Sequence, residues 1–222
     1  MPRNDSIGEK MVVIIDYQMG NIRSVQNALT KIGVESTISA DPEIIRNAER
    51  IILPGVGAFG DGMEHLRRQG LLPLLEEEVL ENKKPFLGIC LGMQLLAKTS
   101  SENGSFEGLG WIPASVERLT PDNPDAKVPH VGWNDIQIKN KENIFSGVSE
   151  QPVFYFVHSF HMICEKKEDV LATCDYFGEF TSAVRRENIF GVQFHPEKSQ
   201  KDGLALLKKF VEYQPAEELK VC

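Results

Sequence analysis

A cysteine between two glycines stands where a short apolar run gives way to a helical pattern. Cys90 lies in the run GICLG (88–92), directly after the apolar residues 85–89. Small neighbours permit the sharp, strained turn of a nucleophile elbow, and the following helix N-terminus favours a thiolate over a thiol. The spacing predicts that Cys90 is a nucleophile and that the N–H of Leu91 points at the oxyanion formed by its attack. The alternative is a buried structural cysteine.

A thiolate nucleophile needs a base, and the base needs a group that orients it. The run FGVQFHPE (190–197) supplies both, because an apolar strand ends at His195 and Pro196 stops that strand. Glu197 is close enough in sequence for its carboxylate to hold the tautomer and the charge of the imidazole. These residues favour a Cys90, His195 and Glu197 triad.

Other histidines compete with His195 for the role of base. His65 lies in a charged helical stretch and is expected to be solvated. His158 and His161 are three apart in a strand-like run, so they are expected on opposite faces and make a poor metal pair. His130 stays open as a candidate. Spacing alone gives His195 only a modest lead over these four.

The glycine-rich run GVGAFG (55–60) matches the GxGxxG pattern of dinucleotide-binding loops. It follows the third predicted strand instead of the first. The acidic residues about 20 positions further on, Glu76 to Glu78, lie in a helical stretch, whereas the dinucleotide fingerprint expects one at the end of the next strand. A loop whose backbone N–H groups stabilise an oxyanion explains the glycines equally well, and we favour that interpretation.

The first half of the chain alternates strands with helices, which predicts βαβ units and a parallel sheet flanked by helices. Continuous apolar runs predict buried strands at 11–16, 50–54 and 85–89, and an alternating run predicts another at 34–39. Helical patterns cover the segments between them: 22–32 (ended by Gly33), a short helix from Asp41, 61–82 (interrupted at Gly70 and Pro73), and one that begins over 91–97.

The second half predicts a mostly antiparallel extension of that sheet. Its strand candidates are separated by short loops, and a helical pattern returns only at 204–211. We expect one domain over residues 11–213, a disordered lead-in over 1–10 and a tail over 214–222. The strand candidates are 112–119, 134–138, 153–157, 169–174, 180–186 and 189–193.

Charge and composition exclude several classes of partner. A net charge of −8 disfavours binding to nucleic acid and to anionic membranes. No apolar run approaches the ~20 residues of a membrane span, and the polar N-terminus does not predict a secretory signal. The four cysteines contain no CxxC pair. We therefore expect a cytoplasmic protein with reduced thiols, and we predict neither a cofactor nor a metal site.

These motifs together resemble the class I (triad) glutamine amidotransferases. Cys90 stands in GICLGMQ, and His195 and Glu197 stand in FHPEKS. Three further runs narrow the resemblance to the glutaminase subunit of imidazole glycerol phosphate synthase, an enzyme of histidine biosynthesis: DYQMGN (16–21), PGVG (54–57) and PHVGWN (129–134). The run YFVHS (155–159) also fits, and the resemblance covers about residues 11 to 212.

The resemblance implies a fold and a reaction. The fold is a three-layer, flavodoxin-like α/β arrangement, with a mostly parallel central sheet and an antiparallel extension. Cys90 would attack the side-chain amide of L-glutamine and form a glutamyl thioester. His195, oriented by Glu197, would protonate the departing ammonia and then activate water. The N–H groups of Leu91 and, after a peptide reorientation, Val56 would form the oxyanion hole. Glutamine would be held by Gly57, Gln94, Ser159 and Phe160.

The resemblance also implies a partner. Four residues would face a (β/α)8-barrel cyclase subunit in a heterodimer: Asn21, Trp133, Asn134 and Lys198. The cyclase would receive the ammonia through an internal channel and make imidazole glycerol phosphate and aminoimidazole carboxamide ribotide. Binding of the cyclase is expected to switch on a nearly silent glutaminase.

Three residues depart from the family pattern. Gln18 stands where glycine is expected, Val131 where methionine is expected, and Phe160 where tyrosine is common. Gln18 and Val131 are expected near the partner face, so they bear on the identity of the partner. A paralogue that supplies ammonia to another acceptor, such as one for surface-sugar amidation, stays open, as do a catalytically silent regulatory module and a cysteine peptidase. Gln94 and the mid-chain motifs argue against the peptidase.

Overall fold

A computed structural model describes residues 11–123, 126–139 and 141–215 of the chain. The predicted lead-in of residues 1–10 and residues 216–222 of the predicted tail lie outside this part. Within it, no helix is long and apolar enough to cross a membrane.

The strands form a mixed sheet and a separate two-stranded antiparallel sheet of β8 and β10, which we call the hairpin. In the sheet, β2, β1, β3, β4 and β14 lie side by side in this order and are all parallel. The strands are β1 (Val12–Ile15), β2 (Ser36–Ser39), β3 (Arg50–Gly55), β4 (Phe86–Cys90), β5 (Thr99–Ser100), β6 (Phe106–Glu107), β7 (Ala114–Arg118), β8 (His130–Asp135), β9 (Gln137–Ile138), β10 (Val153–His158), β11 (Phe160–Cys164), β12 (Val170–Asp175), β13 (Glu179–Arg186) and β14 (Ile189–Val192).

The sheet continues beyond β14 mainly through antiparallel pairs. β13 pairs antiparallel with β14, and β11, β7 and β12 follow in the same sense. The predicted combination of a parallel half and an antiparallel extension is therefore confirmed. β11 was not predicted. His158 ends β10 and His161 lies within β11, so the two histidines lie on different strands instead of in one run.

The helices cover both faces of the parallel half, which gives three layers. The buried side chains of α1 and α6 pack on one face, and those of α2, α3 and α4 pack on the other. A π-helical turn, Glu77–Glu81, extends α4. The helices are α1 (Ile22–Lys31), α2 (Pro42–Asn47), α3 (Phe59–Arg68), α4 (Leu71–Glu76), α5 (Leu91–Gln94) and α6 (Gln200–Glu212).

The predicted break at Gly70 is present, but the predicted break at Pro73 is wrong. Gly70 has φ 67° between α3 and α4, in the left-handed region that favours glycine. Pro73 lies in the first turn of α4, where backbone N–H groups have no intrahelical partner to lose. A proline is therefore compatible with the start of this helix.

The first strand shows why its sequence is a continuous apolar run. Val12 and Ile14 pack into the core on one face of the sheet, and Val13 and Ile15 pack into the core on the other. Because successive side chains of a strand point to opposite faces, a strand covered on both faces needs apolar residues at every position.

The hairpin of β8 and β10 packs beside the main sheet and contributes to the functional site. The two strands are antiparallel, with His158 opposite His130 and Tyr155 opposite Trp133. Phe154 and Phe156 point inward and are fully buried.

The strand predicted at 134–138 begins earlier than expected, at residue 130, and breaks at Ile136 between β8 and β9.

Candidate active site

Cys90 occupies a strained turn between β4 and α5. Its backbone has φ 55° and ψ −109°, which few residues other than glycine adopt. A Cβ atom on Gly92 would overlap the carbonyl oxygen of Leu53, and one on Gly88 would overlap the carbonyl of Gly92. The glycines on both sides are therefore required for the turn, and the predicted nucleophile elbow is present.

The imidazole of His195 is held by Glu197. Nδ1 of His195 lies 2.8 Å from Oε1 of Glu197, and both side chains are almost completely buried. β14 ends at Val192, so His195 follows the strand by three residues instead of ending it. The short helical turn Pro196–Lys198 then brings the carboxylate back to the ring.

The charges around His195 favour its protonated form. Burial lowers the pKa of this ring, but interactions with Cys90 and with Glu197 outweigh it and raise the pKa to about 10. A ring that carries its proton at neutral pH beside a cysteine and a carboxylate suits an ion pair with the thiolate. It also supplies a proton for a departing amine.

The backbone of His195 is fixed to the hairpin. Its N–H donates to the carbonyl of Tyr155 at 2.9 Å. The hydroxyl of Ser199 donates to the carbonyl of His195 at 2.6 Å and accepts the N–H of Tyr155 at 3.0 Å. The backbones of Tyr155 and His195 are therefore linked both directly and through the hydroxyl of Ser199.

One cavity of about 320 Å³ brings the predicted residues together. It lies at the carboxyl ends of β3 and β4, the edge where parallel α/β sheets bind ligands. The walls contain the predicted nucleophile and base, both predicted oxyanion residues and all four predicted substrate residues: Cys90, His195, Val56, Leu91, Gly57, Gln94, Ser159 and Phe160. Glu102, Pro129, Val157 and His158 complete the lining.

A chain of amide hydrogen bonds connects the cavity wall to the sulfur of Cys90 through the buried Gln193. Nε2 of Gln94 donates to the carbonyl of Phe160 at 2.9 Å and to Oε1 of Gln193 at 3.1 Å. Nε2 of Gln193 in turn lies 3.8 Å from the sulfur of Cys90. Since both hydrogens of the Gln94 amide are used, its carbonyl oxygen is the atom left to accept from a ligand.

A buried histidine pair stands behind the same wall. Nδ1 of His158 donates to the carbonyl of Phe160 at 2.9 Å, so Nε2 of His158 accepts from Nδ1 of His130 at 3.1 Å. Burial lowers the pKa of His158 to about 3 and that of His130 to about 4. Both rings are therefore neutral. With Gln94 as the second donor, both lone pairs of the Phe160 carbonyl are occupied, so this oxygen is not available to a substrate.

The predicted oxyanion donor Val56 is engaged elsewhere. Its N–H donates to the carbonyl of Met19 at 2.6 Å, in the loop that follows β1. The next residue, Gly57, has φ 104°, which glycine adopts readily. In this conformation Val56 could donate to an oxyanion only after a peptide reorientation, which the family resemblance also implies.

The predicted partner residues do not all share one surface. Trp133 is 46% exposed and packs against Tyr155, and Nζ of Lys198 lies 5.5 Å above the Tyr155 ring. Asn134 points to the opposite side of β8 and donates to the carbonyl of Asp175. Asn21, at the start of α1, is exposed, and its side chain accepts the hydroxyl of Ser24.

Comparison with known proteins decides the family. Residues 13–213 match the glutamine amidotransferase class-I family. A Vibrio vulnificus relative, named imidazole glycerol phosphate synthase subunit HisH 2, is 49% identical over 211 residues, 95% of this chain and 98% of the relative. A relative of the same name from Methanococcus maripaludis is 48% identical over 201 residues, 90% of this chain and 98% of the relative. The chain belongs to the HisH family of class I glutamine amidotransferases.

The fold predicted for this HisH chain is confirmed by solved structures. A crystal structure of a glutamine amidotransferase superposes with a TM-score of 0.71 at 22% identity, over 90% of this chain and 97% of the other. The structure of PurLQS from Thermotoga maritima gives a TM-score of 0.73 at 21% identity, over 92% and 99%. At this level of identity the agreement concerns the three-layer fold alone.

Three residues in or beside the cavity were not predicted as site residues: His158 and Glu102 line it, and Gln193 is buried next to Cys90. Gln193 is a polar residue inside the apolar run 189–194, and that contrast could have singled it out. His158 was set aside as a poor metal pair with His161, and its actual partner, His130, lies 28 positions away on another strand. Glu102 accepts the N–H of Phe59 at 2.7 Å from a loop that carries no recognisable motif.

Proposed function

We propose that this chain is the glutaminase subunit of imidazole glycerol phosphate synthase. It hydrolyses L-glutamine to glutamate and ammonia, and the ammonia passes to a cyclase subunit that completes imidazole glycerol phosphate in histidine biosynthesis. The observation that carries the proposal is the strained Cys90 elbow in one cavity wall with His195, whose ring is held from behind by the buried Glu197. The cytoplasmic location expected from the sequence forms part of the proposal.

The first half of the reaction transfers the glutamyl group to sulfur. The thiolate of Cys90 attacks the side-chain amide carbon, a C–S bond forms, and the carbonyl oxygen becomes an oxyanion. The protonated ring of His195 gives its proton to the amide nitrogen, the C–N bond breaks, and ammonia leaves. The glutamyl thioester of Cys90 remains.

The second half returns the enzyme to its starting state. The neutral ring of His195 takes a proton from water, and the resulting hydroxide attacks the thioester carbon. The C–S bond then breaks, glutamate leaves, and Cys90 departs as a thiolate beside a protonated His195. Glu197 holds the same nitrogen of the ring in both halves, so the other nitrogen faces the reaction.

The cavity walls offer groups for each end of glutamine. The free carbonyl oxygen of Gln94 accepts the side-chain amide hydrogens of the substrate. The carboxylate of Glu102 lies on the wall and attracts the α-ammonium group. Since the Phe160 carbonyl is saturated, the backbone of Gly57 and Ser159 contributes the remaining contacts.

The hairpin offers a surface for the cyclase subunit, a (β/α)8 barrel. Its outward-facing side chains are apolar and at least partly exposed, and we call them the outer hairpin face: Val131, Trp133, Val153, Tyr155 and Val157. A contiguous exposed apolar patch marks a protein interaction site. Because Tyr155 also holds the backbone of His195, a partner on this face acts directly on the site.

Reconstitution tests the proposal. The chain and the cyclase subunit are mixed with the cyclase substrate and either glutamine or ammonium, and imidazole glycerol phosphate is measured. We expect product from both nitrogen sources with the wild-type chain and from ammonium alone with Cys90→Ser. If the wild-type chain gives product only from ammonium, the assigned function is wrong.

A further inference from the structure

We infer that Gln193 is a further catalytic residue, whose side-chain amide donates a hydrogen bond to the thiolate of Cys90. This inference rests on the proposed glutaminase reaction at that sulfur. It adds to the triad a neutral donor that keeps its hydrogens at every pH.

The orientation of the Gln193 amide follows from its neighbours. The carbonyl of Phe160 can only accept, so the side-chain atom of Gln94 that faces it at 2.9 Å is the NH2 group. The same NH2 group faces Gln193 at 3.1 Å, and the atom of Gln193 on that side must therefore be its oxygen. The NH2 group of Gln193 is then left facing the sulfur of Cys90 at 3.8 Å.

A thiolate at Cys90 has few other hydrogen-bond donors to stabilise it. Cys90 is only 7% exposed, so few water molecules can solvate a thiolate there. The carbonyl of Val157, 4.0 Å from the sulfur, can accept from a thiol but cannot donate to a thiolate. Gln193 is fully buried and rigidly held, so its N–H is already in place and needs no reorganisation.

The side-chain N–H of Gln193 acts at the two steps of the reaction in which the sulfur of Cys90 is negatively charged. Before attack it stabilises the thiolate together with His195. When the thioester breaks down, the sulfur leaves as a thiolate, and the same N–H lowers the energy of that departure. The titratable groups around the sulfur are His195, which contacts it, Tyr17 beneath the elbow, and His158 and Glu102 on the cavity wall.

Two substitutions test the donor. Gln193→Glu keeps the shape and the oxygen that accepts from Gln94, but it places an acceptor against the sulfur. Gln193→Met removes both polar atoms from a side chain of similar length. It tests the same contact if the Gln193→Glu variant does not fold. Ser182→Ala is the matched control, because Ser182 is buried, its carbonyl accepts the N–H of Gln193, and its hydroxyl has no partner in the described chain.

The readout is alkylation of Cys90 by iodoacetamide between pH 4 and pH 9, followed on the Cys90 peptide by mass spectrometry. Loss of the hydrogen bond to the thiolate should shift the acid limb of the alkylation rate profile to higher pH, by about one pH unit or more, in both variants. The glutaminase kcat of Gln193→Glu falls at least about tenfold, while its KM for glutamine stays within about threefold. Ser182→Ala matches the wild type in both assays.

Alkylation of Cys90 needs no glutamine, so the experiments can contradict the role of Gln193 and the glutaminase function independently of each other. A wild-type chain that alkylates normally but yields no ammonia with its partner would contradict the glutaminase function. Folded Gln193→Glu and Gln193→Met variants with the wild-type profile would overturn the role of Gln193. A fall in kcat with an unchanged alkylation profile would also overturn it, because a merely structural role explains that result.

Discussion

The backbone N–H of Val56 donates to the carbonyl oxygen of Met19 at 2.6 Å. The donor that would stabilise the oxyanion is therefore already bonded to the loop after β1. Removing one donor from an oxyanion hole costs on the order of 10²–10³ in rate. A complete triad can thus coexist with a slow enzyme until the segment 55–57 turns.

Loosening this bond should raise the activity of the isolated chain. A Cβ atom on Gly20 would lie 2.8 Å from the carbonyl oxygen of Pro54, so Gly20→Ala pushes the Met19 loop away from the end of β3. A backbone hydrogen bond is worth roughly 0.5–1.5 kcal/mol, and we expect the partner-free glutaminase rate to rise about two- to tenfold. Gly147→Ala is the control for a glycine change outside the cavity lining, because its Cβ atom would meet only the flexible side chain of Lys209, at 3.2 Å, and Ala205 at 3.8 Å. A folded Gly20→Ala chain with an unchanged basal rate would contradict this role of the bond.

Loss of the Glu197 carboxylate should remove most of the turnover. In Glu197→Gln the amide can donate to Nδ1 of His195 and stabilise the wrong tautomer, so kcat should fall by about 10³–10⁴ with KM for glutamine nearly unchanged. Steady-state glutaminase assays with the partner present measure both constants. Glu187→Gln is the matched control, because Glu187 forms an exposed ion pair with Lys83. Equal activity of the two variants would exclude Glu197 from the triad.

The charge on His195 can be observed directly. Because its pKa is raised from 6.5 to about 10, the ring should remain protonated at pH 7 and lose its proton only near pH 10. In Cys90→Ser the interaction with the thiolate is gone, burial weighs more, and the titration should move to lower pH. NMR of histidine labelled at Cε1 measures both midpoints. Titration of the wild-type ring near pH 6.5 would contradict the ion pair.

The His130–His158 pair should limit stability in acid. Both rings have a folded-state pKa below the ordinary 6.5, at about 4 and about 3, so the unfolded chain binds protons first. Their contribution is complete above pH 6.5 and is lost as the pH falls towards 4, by up to about 1.4 kcal/mol per pH unit for each ring.

His158→Asn tests whether the histidine pair causes the loss of stability in acid, because asparagine can still donate to the Phe160 carbonyl and does not titrate. Urea unfolding at pH 7.5, 6.5, 5.5 and 4.5 should show a shallower loss of unfolding free energy in the variant than in the wild type. Parallel curves would assign the acid sensitivity to other groups.

The elbow and the parallel strands could be predicted because their signals are local. Four apolar residues in a row require a strand covered on both faces, and the glycines at 88 and 92 require a tight turn at Cys90. His195 and Glu197 are two residues apart, so one helical turn is enough to bring them together.

The remaining parts of the site depend on strand register, which single positions do not reveal. His130 meets His158 only because β8 and β10 pair in one particular alignment. Gln94 and Gln193 are 99 positions apart and meet because β14 lies beside β4. The bond between Val56 and Met19 likewise joins two loops at adjacent strand ends, and neither loop predicts the other.

The alternation of β10 has a consequence for how this protein can evolve. Phe154, Phe156 and His158 point inward and are buried, while the side chains of Val153, Tyr155 and Val157 form the outer hairpin face. A single-residue insertion or deletion inside this strand would exchange the two sets and place the side chains of the outer hairpin face in the core. Substitutions at alternate positions of this strand can therefore change the outer hairpin face without disturbing the core, whereas a change in the length of the strand cannot.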